Sequence, residues 1–455
     1  MLGSLNSSNS SHDHHQEQEE PSSSLDLQIP LVQATAAEGA PSPALRVRHL
    51  LITCADLILQ SDFAAAHHII SLLSATSSSP CGDSVERVVH QFVRALTLRL
   101  NRRLNHPPPL PAAVVVAGGG RSSVATTTLT SSSAPTLTST DGDFPVQEEE
   151  ALRSCYLSLN QITPFIRFSH LTANQAILEA TAAGQHQAIH ILDFDIMHGV
   201  QWPPLMQALA ERAANTLLPP PMLRITGTGH DLSILHRTGD RLFKFAQSLG
   251  LRFQFHPLLL LNNDPASLAV CLPSAITLLP DEALAINCVL YLHRLLKEND
   301  SRDLLLFLRN IRALNPKVVT IAEREANHNN PIFLQRFVEA LDHYRAFFDS
   351  LEATLPPNSR ERLAVEQIWL GREIMDIVAA EGEGRRERHQ RFESWEVMLR
   401  SSGFENLPLS PFALSQAKLL LRLHYPSDGY RLQILNNSFF LGWQNRALFS
   451  VSSWH

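Results

Sequence analysis

Cysteine is sparse in this chain and never paired along it. Cys54, Cys81, Cys155, Cys271 and Cys288 are its five thiols in 455 residues, with no CxxC pair and an odd count. That pattern argues against a disulfide framework and a zinc finger, and no metal site is expected. Reduced thiols fit a cytosolic or nuclear compartment. Charge is scarce too: 18% of residues are charged, and the net charge is −7. Proteins that coat DNA phosphates over a wide face are basic, so any DNA contact should be local or borrowed from a partner. Long apolar runs are missing. The oiliest stretch, Leu258 to Leu261, stops at Asn262, Asn263 and Asp264, well short of a membrane span. The N-terminus is Ser-, His- and Glu-rich with no basic patch before an apolar run, so no signal peptide is read. What the chain does have is apolar bulk, 44% of its residues, enough for a sizeable core.

Residues 1–44 are polar and low in complexity, with a run at His12, His14 and His15. They cannot bury enough surface to offset ordering entropy and read as a disordered arm. Residues 45–104 read as amphipathic helices. Leu51, Ala55, Ile58, Ala65, Ile69 and Leu73 form an apolar stripe. Ser61-Asp62 offers one cap, and Asp83 with Glu86 a capping box. Arg94, Arg99, Arg102 and Arg103 fall on the last helix and suit either a solvated face or a nuclear localisation signal. Residues 105–145, with Pro, Gly, Ser and Thr runs, read as a low-complexity insertion. Helices resume at Glu148. Pro164 breaks the pattern, and a further helix is expected from about Thr172 to Gly184.

Strands then alternate with helices. Strands are expected at Ala188–Asp193, Met222–Thr226 (closed by Gly227 and Gly229), Arg252–Phe255, Ala285–Tyr291 and Lys317–Ala322. Three more helices are expected between Pro331 and Ser401. Tyr430 to Leu435, Asn436-Asn437, then Phe439 to Trp443 reads as a hairpin with Asn-Asn at its turn. Alternation implies right-handed crossovers and a mostly parallel α/β sheet. With the C-terminal antiparallel hairpin and the N-terminal helical cap, this suggests a Rossmann-like fold of the methyltransferase kind.

In such sheets ligands sit beyond the carboxyl ends of the strands. The first loop there, Asp193-Phe-Asp195-Ile-Met-His198-Gly199-Val-Gln201-Trp202, is the most unusual in the chain. A methyltransferase cofactor loop needs glycines where Met197 and His198 stand, and the Gly227-Thr-Gly229 pair alone is a weak signal. Asp193-x-Asp195 resembles the nucleophile and acid/base pair of haloacid dehalogenase phosphatases. Ile196-Met197 follow it in place of Gly-Thr or Gly-Val, and no downstream acidic pair suits Mg²⁺. A structural or interaction loop locked by a buried Asp193 is the preferred reading. No cofactor and no enzymatic activity are expected. Leu292-His-Arg-Leu295-Leu296 matches a coactivator-docking helix, with burial after a strand the preferred alternative. The charge-dense Glu383–Arg391 segment reads as a solvated helix end or a phosphate contact. Glu323-Arg324-Glu325 and His328 stand at a strand end, where sites form.

In order along the chain, these segments resemble the GRAS family. Ile189-His190-Ile-Leu-Asp193, extended through Gly199, Gln201 and Trp202-Pro203, is similar to its VHIID motif. Pro316, then Phe337 and Tyr344, then Arg372-Glu373, are similar to its PFYRE motif. Trp395, Gly403-Phe404, Trp443 and Trp454 are similar to its SAW motif, with Ser453 where that name has Ala. Residues 45–104 and about 232–260 resemble its two leucine-heptad regions. Ala173-Asn-Gln-Ala176 and His190 to Trp202 look closest to the lateral suppressor and scarecrow-like type. The arm lacks the DELLA-type sequence, so gibberellin-receptor regulation is not implied. The resemblance implies a Rossmann-like core under a helical cap, with Leu51, Ile58, Ile69 and Leu73 in the partner-binding region. It implies transcriptional regulation of plant development in the nucleus, for this type the initiation of axillary meristems and shoot branching. It further implies pairing with other GRAS proteins or DNA-binding transcription factors, homo- or heterodimers, and in some members direct DNA contact. The negative net charge argues against tight direct binding. No membrane association is expected.

Overall fold

The computed structural model describes residues 42–105, 146–182, 186–216, 219–260, 265–298 and 300–455. The expected N-terminal arm as far as residue 41, and the insertion from 106 to 145, lie outside them. The folded unit runs from Pro43 to His455.

It opens with helices α1 (Pro43–Leu59), α2 (Phe63–Thr76) and α3 (Ser84–Asn105). Asp62 accepts from the Ala65 amide at 3.1 Å and so starts α2. Asp83 and Glu86 exchange hydrogen bonds at 2.9 and 3.0 Å before α3, the reciprocal capping box expected. Next come α4 (Val146–Ile162) and α5 (Pro164–Ala182). Pro164 was expected to interrupt the helical pattern. It does so, with α4 ending at Ile162, and it also opens α5 about eight residues before the expected start near Thr172, because the first helical position needs no backbone N–H and the proline φ suits it.

The α/β part follows: β1 (Ala188–Phe194), α6 (Trp202–Thr216), β2 (Met222–Gly229), α7 (Leu232–Ser248), β3 (Phe253–Leu259), α8 (Pro265–Ala275) and β4 (Glu282–Val289). After a 3₁₀ turn at Leu292–Leu295 come α9 (Arg302–Ala313), β5 (Val318–Arg324), α10 (Phe333–Thr354) and α11 (Arg360–Ala364). A π turn (Val365–Leu370) leads straight into α12 (Gly371–Ala379). The chain ends with α13 (Phe392–Ser401), β6 (Asn406–Leu407), α14 (Pro411–His424), β7 (Tyr430–Leu435), β8 (Ser438–Trp443) and β9 (Arg446–Trp454).

The strands form one sheet in the order β3-β2-β1-β4-β5-β9-β8-β7, with β6 on β9. β1 to β5 pair in parallel and β9, β8 and β7 antiparallel. This is the Rossmann-like, methyltransferase-type sheet that the alternation implied. The hairpin turn is where it was expected: Asn436 and Asn437 take φ of 45° and 61°, which asparagine tolerates better than most residues. β9 was not expected as a strand. Its Ser450, Ser452 and Ser453 suppress the hydrophobic signal, yet it lies inside the sheet, buried from Leu448 to Trp454.

All seven residues of β1 are buried, as a strand covered on both faces requires. Ile189 and Ile191 pack with Trp202, Leu205, Ile225 and Leu235 under α6 and α7. Leu192 and Phe194 pack with Phe307, Trp395 and Trp454 on the other face. A third cluster joins the first helices to α10, α12 and α14. The first helices, expected to supply most of the cap, therefore share their core with later helices.

Two charge readings change, and one leucine motif takes its expected core alternative. Arg99 is buried and bonds the Val378 carbonyl (2.9 Å) and Glu381; Arg102 bonds the Ala379 carbonyl (2.8 Å) and Arg103 the Glu381 carboxylate. Of the five arginines on α3, Arg94 and Arg102 are exposed, Arg103 is half-buried, and Arg87 and Arg99 are buried. Arg99, Arg102 and Arg103 clamp α3 to the end of α12, so the solvated face holds for Arg94 and for part of Arg102 while the cluster is not a free basic signal. The Glu383–Arg391 segment is not a helix end, and its Arg385 and Arg388 are each only 2% exposed. Leu292, Leu295 and Leu296 are buried in the 3₁₀ turn, the core alternative rather than a docking helix.

Candidate functional site at the carboxyl ends of β1 and β4

The chain leaves β1 toward β2 and β3 on one side, while β4 and β5 lie on the other, so a crevice opens beyond Asp193. Its floor is a closed network of side-chain amides and one carboxylate. Asn287, in β4, donates to Asp193 Oδ1 at 2.7 Å, and Trp202 Nε1 donates to Asp193 Oδ2 at 2.8 Å. Gln201 Nε2 donates to Asn287 Oδ1 (3.0 Å) and Asn174 Oδ1 (3.1 Å), while its own Oε1 accepts from Asn287 Nδ2 (3.1 Å). Thr320 on β5 donates to Asn287 Oδ1 at 2.9 Å, and Asn174 on α5 donates to the Gln201 carbonyl at 2.8 Å. One network thus ties β1, β4, β5, α5 and α6 together.

Above it the loop holds three left-handed residues, Asp195 (φ 62°), Met197 (φ 50°) and Gly199 (φ 64°). Only the last is a glycine, and each of the others carries a strain of roughly 1–2 kcal/mol. Side chains hold them there. Thr228 Oγ1 accepts from the Asp195 amide at 2.8 Å, Thr238 donates to the Met197 carbonyl at 3.2 Å, and Arg241 to the His198 carbonyl at 3.1 Å. Asp195 is ion-paired with Arg294. In a phosphatase of the haloacid dehalogenase type this carboxyl group would have to carry a proton, but here it is engaged by Arg294. Gly227 and Gly229, expected to close the second strand as a turn, lie inside β2. A Cβ on Gly227 would come within 2.9 Å of Ile196 Cδ1, so the missing side chain makes room for Ile196, not for a ligand.

Tyr156 and His170 reach down from the cap and meet at 3.3 Å. Burial pushes the phenol above its ordinary range and lowers the imidazole to about 3, so both stay neutral. With Asp193, Asp195, Ile196, Val200, Gln201 and Val289 they line a cavity of only about 10 Å³. That is room for about one water, whereas cofactor pockets take on the order of 300 Å³ or more.

Burial pushes the Asp193 carboxyl up to about 7, and the bonds from Asn287 and Trp202 pull it only part of the way back. A folded-state pKa above the unfolded value of about 4 contributes stability at low pH that is lost as pH rises toward 7. We therefore expect Asp193→Ala to cost about 1–3 kcal/mol through the stranded donors. Asp193→Asn, which cannot ionise, should lose less relative to the wild type at pH 7.5 than at pH 4.5. Urea unfolding at the two values checks this, and a gap that widens with pH contradicts it.

The other residues picked from the sequence are mostly structural. His190 is buried within β1, with its Nε2 2.8 Å from Thr226 Oγ1 and its Nδ1 3.6 Å from Glu282. Ile189 sits in the core. Leu51, Ile58 and Leu73 are at most 2% exposed and Ile69 half-buried, so no partner reaches the first three: they assemble the cap. The buried face of α2 runs through Ala66, Ile70 and Leu73, one residue on from the stripe read through Ala65 and Ile69. Phe337 is buried. Tyr344 donates to Glu373 at 2.9 Å, and Glu373 pairs with Arg324 at 2.7 Å. Pro316 is buried, its carbonyl 3.1 Å from His455 Nδ1, and Arg372 is exposed. Trp395, Phe404, Trp443 and Trp454 are core residues, and Gly403 (φ 90°) ends α13. Asn174, Asn287, Arg294 and Thr320 were missed. A polar Asn287 inside the apolar run Ala283 to Val289 was the one visible signal, since asparagine is depleted in strands.

Comparison with known proteins agrees with this architecture. The GRAS domain family matches residues 47–455. Scarecrow-like protein 18 of Arabidopsis thaliana is 53% identical over 415 residues, covering 90% of this chain and 91% of that protein. Protein MONOCULM 1 of Oryza sativa subsp. japonica is 44% identical over 428 residues, covering 90% and 88%. The crystal structure of SCL7 in Oryza sativa superposes with a TM-score of 0.69 at 32% identity, covering 91% of this chain and all of that one.

Proposed function

We propose that this chain, which belongs to the GRAS domain family, regulates transcription in plant development by binding protein partners in the nucleus and is not an enzyme. The observation that carries this reading is the filled crevice. The sheet keeps the topology of a nucleotide-binding fold, but Asp195, Arg294, Ile196 and the cap residues Tyr156 and His170 take up the ligand space. A fold that keeps its shape and loses its pocket offers its surface instead. An apolar stripe does face solvent: Phe412, Leu419 and Leu423 on α14 are 58%, 44% and 62% exposed and share one helical face. Such patches mark protein contact sites.

At the finer level, the similarity to MONOCULM 1 and to the lateral suppressor type supports a role in axillary meristem initiation and shoot branching. Partners would be other GRAS proteins or DNA-binding transcription factors, in homo- or heterodimers. A net charge of −7 favours reaching DNA through them over tight direct contact.

Two measurements test the proposal. Calorimetry with S-adenosylmethionine should register no binding at micromolar concentration, and turnover or binding there would restore the enzyme reading. A fluorescently tagged chain should accumulate in nuclei and alter a promoter reporter. Phe412→Ser with Leu423→Ser should abolish the reporter response without lowering the melting temperature. A tagged chain excluded from nuclei, or a reporter indifferent to it, overturns the regulatory reading.

A further inference from the structure

Beyond the carboxyl end of β4, where His293 directly precedes Arg294, two histidines and a partly buried glutamate meet from distant parts of the chain. His293 lies in the 3₁₀ turn after β4, while Glu387 and His389 lie in the segment that leads into α13. His293 Nε2 is 3.1 Å from Glu387 Oε2, and His389 Nε2 is 3.4 Å from the same oxygen. The three donor atoms all lie within 4.8 Å of one another. Ligand atoms held ~2.0–2.1 Å from one tetrahedral zinc are roughly 3.3 Å apart, so two of these separations already match such a site.

The outer nitrogens are arranged to suit. His293 Nδ1 bonds Glu323 Oε2 at 2.7 Å, the carboxylate–histidine pairing that orients metal-binding imidazoles. His389 Nδ1 faces His328 Nδ1 at 2.9 Å, which leaves Nε2 as its inward atom. His389 is 1% exposed, and its Nε2 has no hydrogen-bond partner although it lies against an anionic oxygen. The neighbouring arginines do not take the carboxylates: Arg324 is paired with Glu373 and Arg294 with Asp195.

We propose that His293 Nε2, Glu387 Oε2 and His389 Nε2 bind a divalent transition-metal ion of the zinc class, which staples the turn after β4 to the segment before α13. Two imidazoles and a carboxylate are a donor set that zinc accepts. No local spacing could announce the site, because His293 lies 94 residues from Glu387. The expectation of no metal rested on cysteine spacing and on the lack of a downstream acidic pair suited to Mg²⁺.

The test uses the full chain with His12, His14 and His15 replaced by Ala, so that the N-terminal arm adds no uptake of its own. After chelation and desalting, zinc and cobalt are titrated. One equivalent should bind with submicromolar affinity, zinc should raise the melting temperature, and cobalt should show the strong visible bands of a low-symmetry site. Glu387→Gln keeps the side-chain shape and removes the anionic donor; it should weaken binding at least tenfold, as should His389→Gln. Should His389→Gln not fold, the cobalt spectrum and Glu387→Gln decide. No uptake, no thermal shift, or a Glu387→Gln protein that binds as tightly as its parent would overturn the site and leave a plain imidazolium–carboxylate cluster.

Discussion

Exchanging Arg87 for Met should lower the unfolding free energy by about 3–5 kcal/mol, the cost of breaking a buried ion pair from one side. Arg87 sits on α3 and is 2% exposed. Its Nε reaches Glu366 at 2.7 Å and its Nη2 reaches Glu352 at 2.6 Å. Glu366 is 1% exposed in the π turn, and its remaining cation, Arg362, is 3.9 Å away. Methionine replaces the aliphatic length of Arg87 but leaves that carboxylate uncompensated. Burial already raises the Glu366 pKa against the pull of Arg87, and without Arg87 it rises further. A raised folded-state value means a penalty that is absent at low pH and grows as pH climbs, so the defect should be larger at pH 8 than at pH 5. Adding Glu366→Gln should recover more than half of the loss. A double variant no more stable than Arg87→Met would show that packing, not charge, governs the contact.

The same arginine shows what the sequence could and could not disclose. Both caps of the first helices, the five parallel strands and the Asn436-Asn437 hairpin were legible, because each is a local pattern: an acid three residues before its donor, an apolar run, a turn pair that tolerates positive φ. Arginine on a helix reads as solvated by composition. Arg87 and Arg99 are not, because the partners that bury them lie more than 260 residues away. Two local signals misled. Gly227 and Gly229 look like a turn but stand in β2, where Ile196 takes the space over the first and Leu235 packs against the second. β9 looks polar because its serines pair inside the sheet, Ser453 with the Leu407 carbonyl and Ser452 with the Trp454 indole. At the crevice, Asp193, Gln201 and Trp202 were visible as a cluster in sequence. The partners that give them meaning, Asn174, Asn287 and Thr320, arrive on three other elements.

Asn287 is where that network can be inverted. Asn287→Asp keeps the shape and replaces a donor to Asp193 Oδ1 at 2.7 Å with a second carboxyl. Two buried carboxyls at that distance cannot both ionise, so the pair should retain a proton well above the usual carboxylate range. The sign follows: the shared proton is bound more tightly in the folded than in the unfolded chain, and stability falls as pH rises. We expect a loss on the order of 4 kcal/mol at pH 8, the full linkage cost of raising one carboxyl by about three units. At pH 5 the loss should shrink to about 1–2 kcal/mol, the cost of the bond no longer made to Gln201 Oε1. Adding Asp193→Asn exchanges amide and carboxylate across the same contact. It leaves an acceptor for Trp202 Nε1 and should restore most of the stability at pH 8. Urea unfolding of the three proteins at both pH values distinguishes the cases. An Asn287→Asp protein equally stable at pH 5 and pH 8 would mean that the two side chains do not touch, and the network that closes the crevice would have to be redrawn.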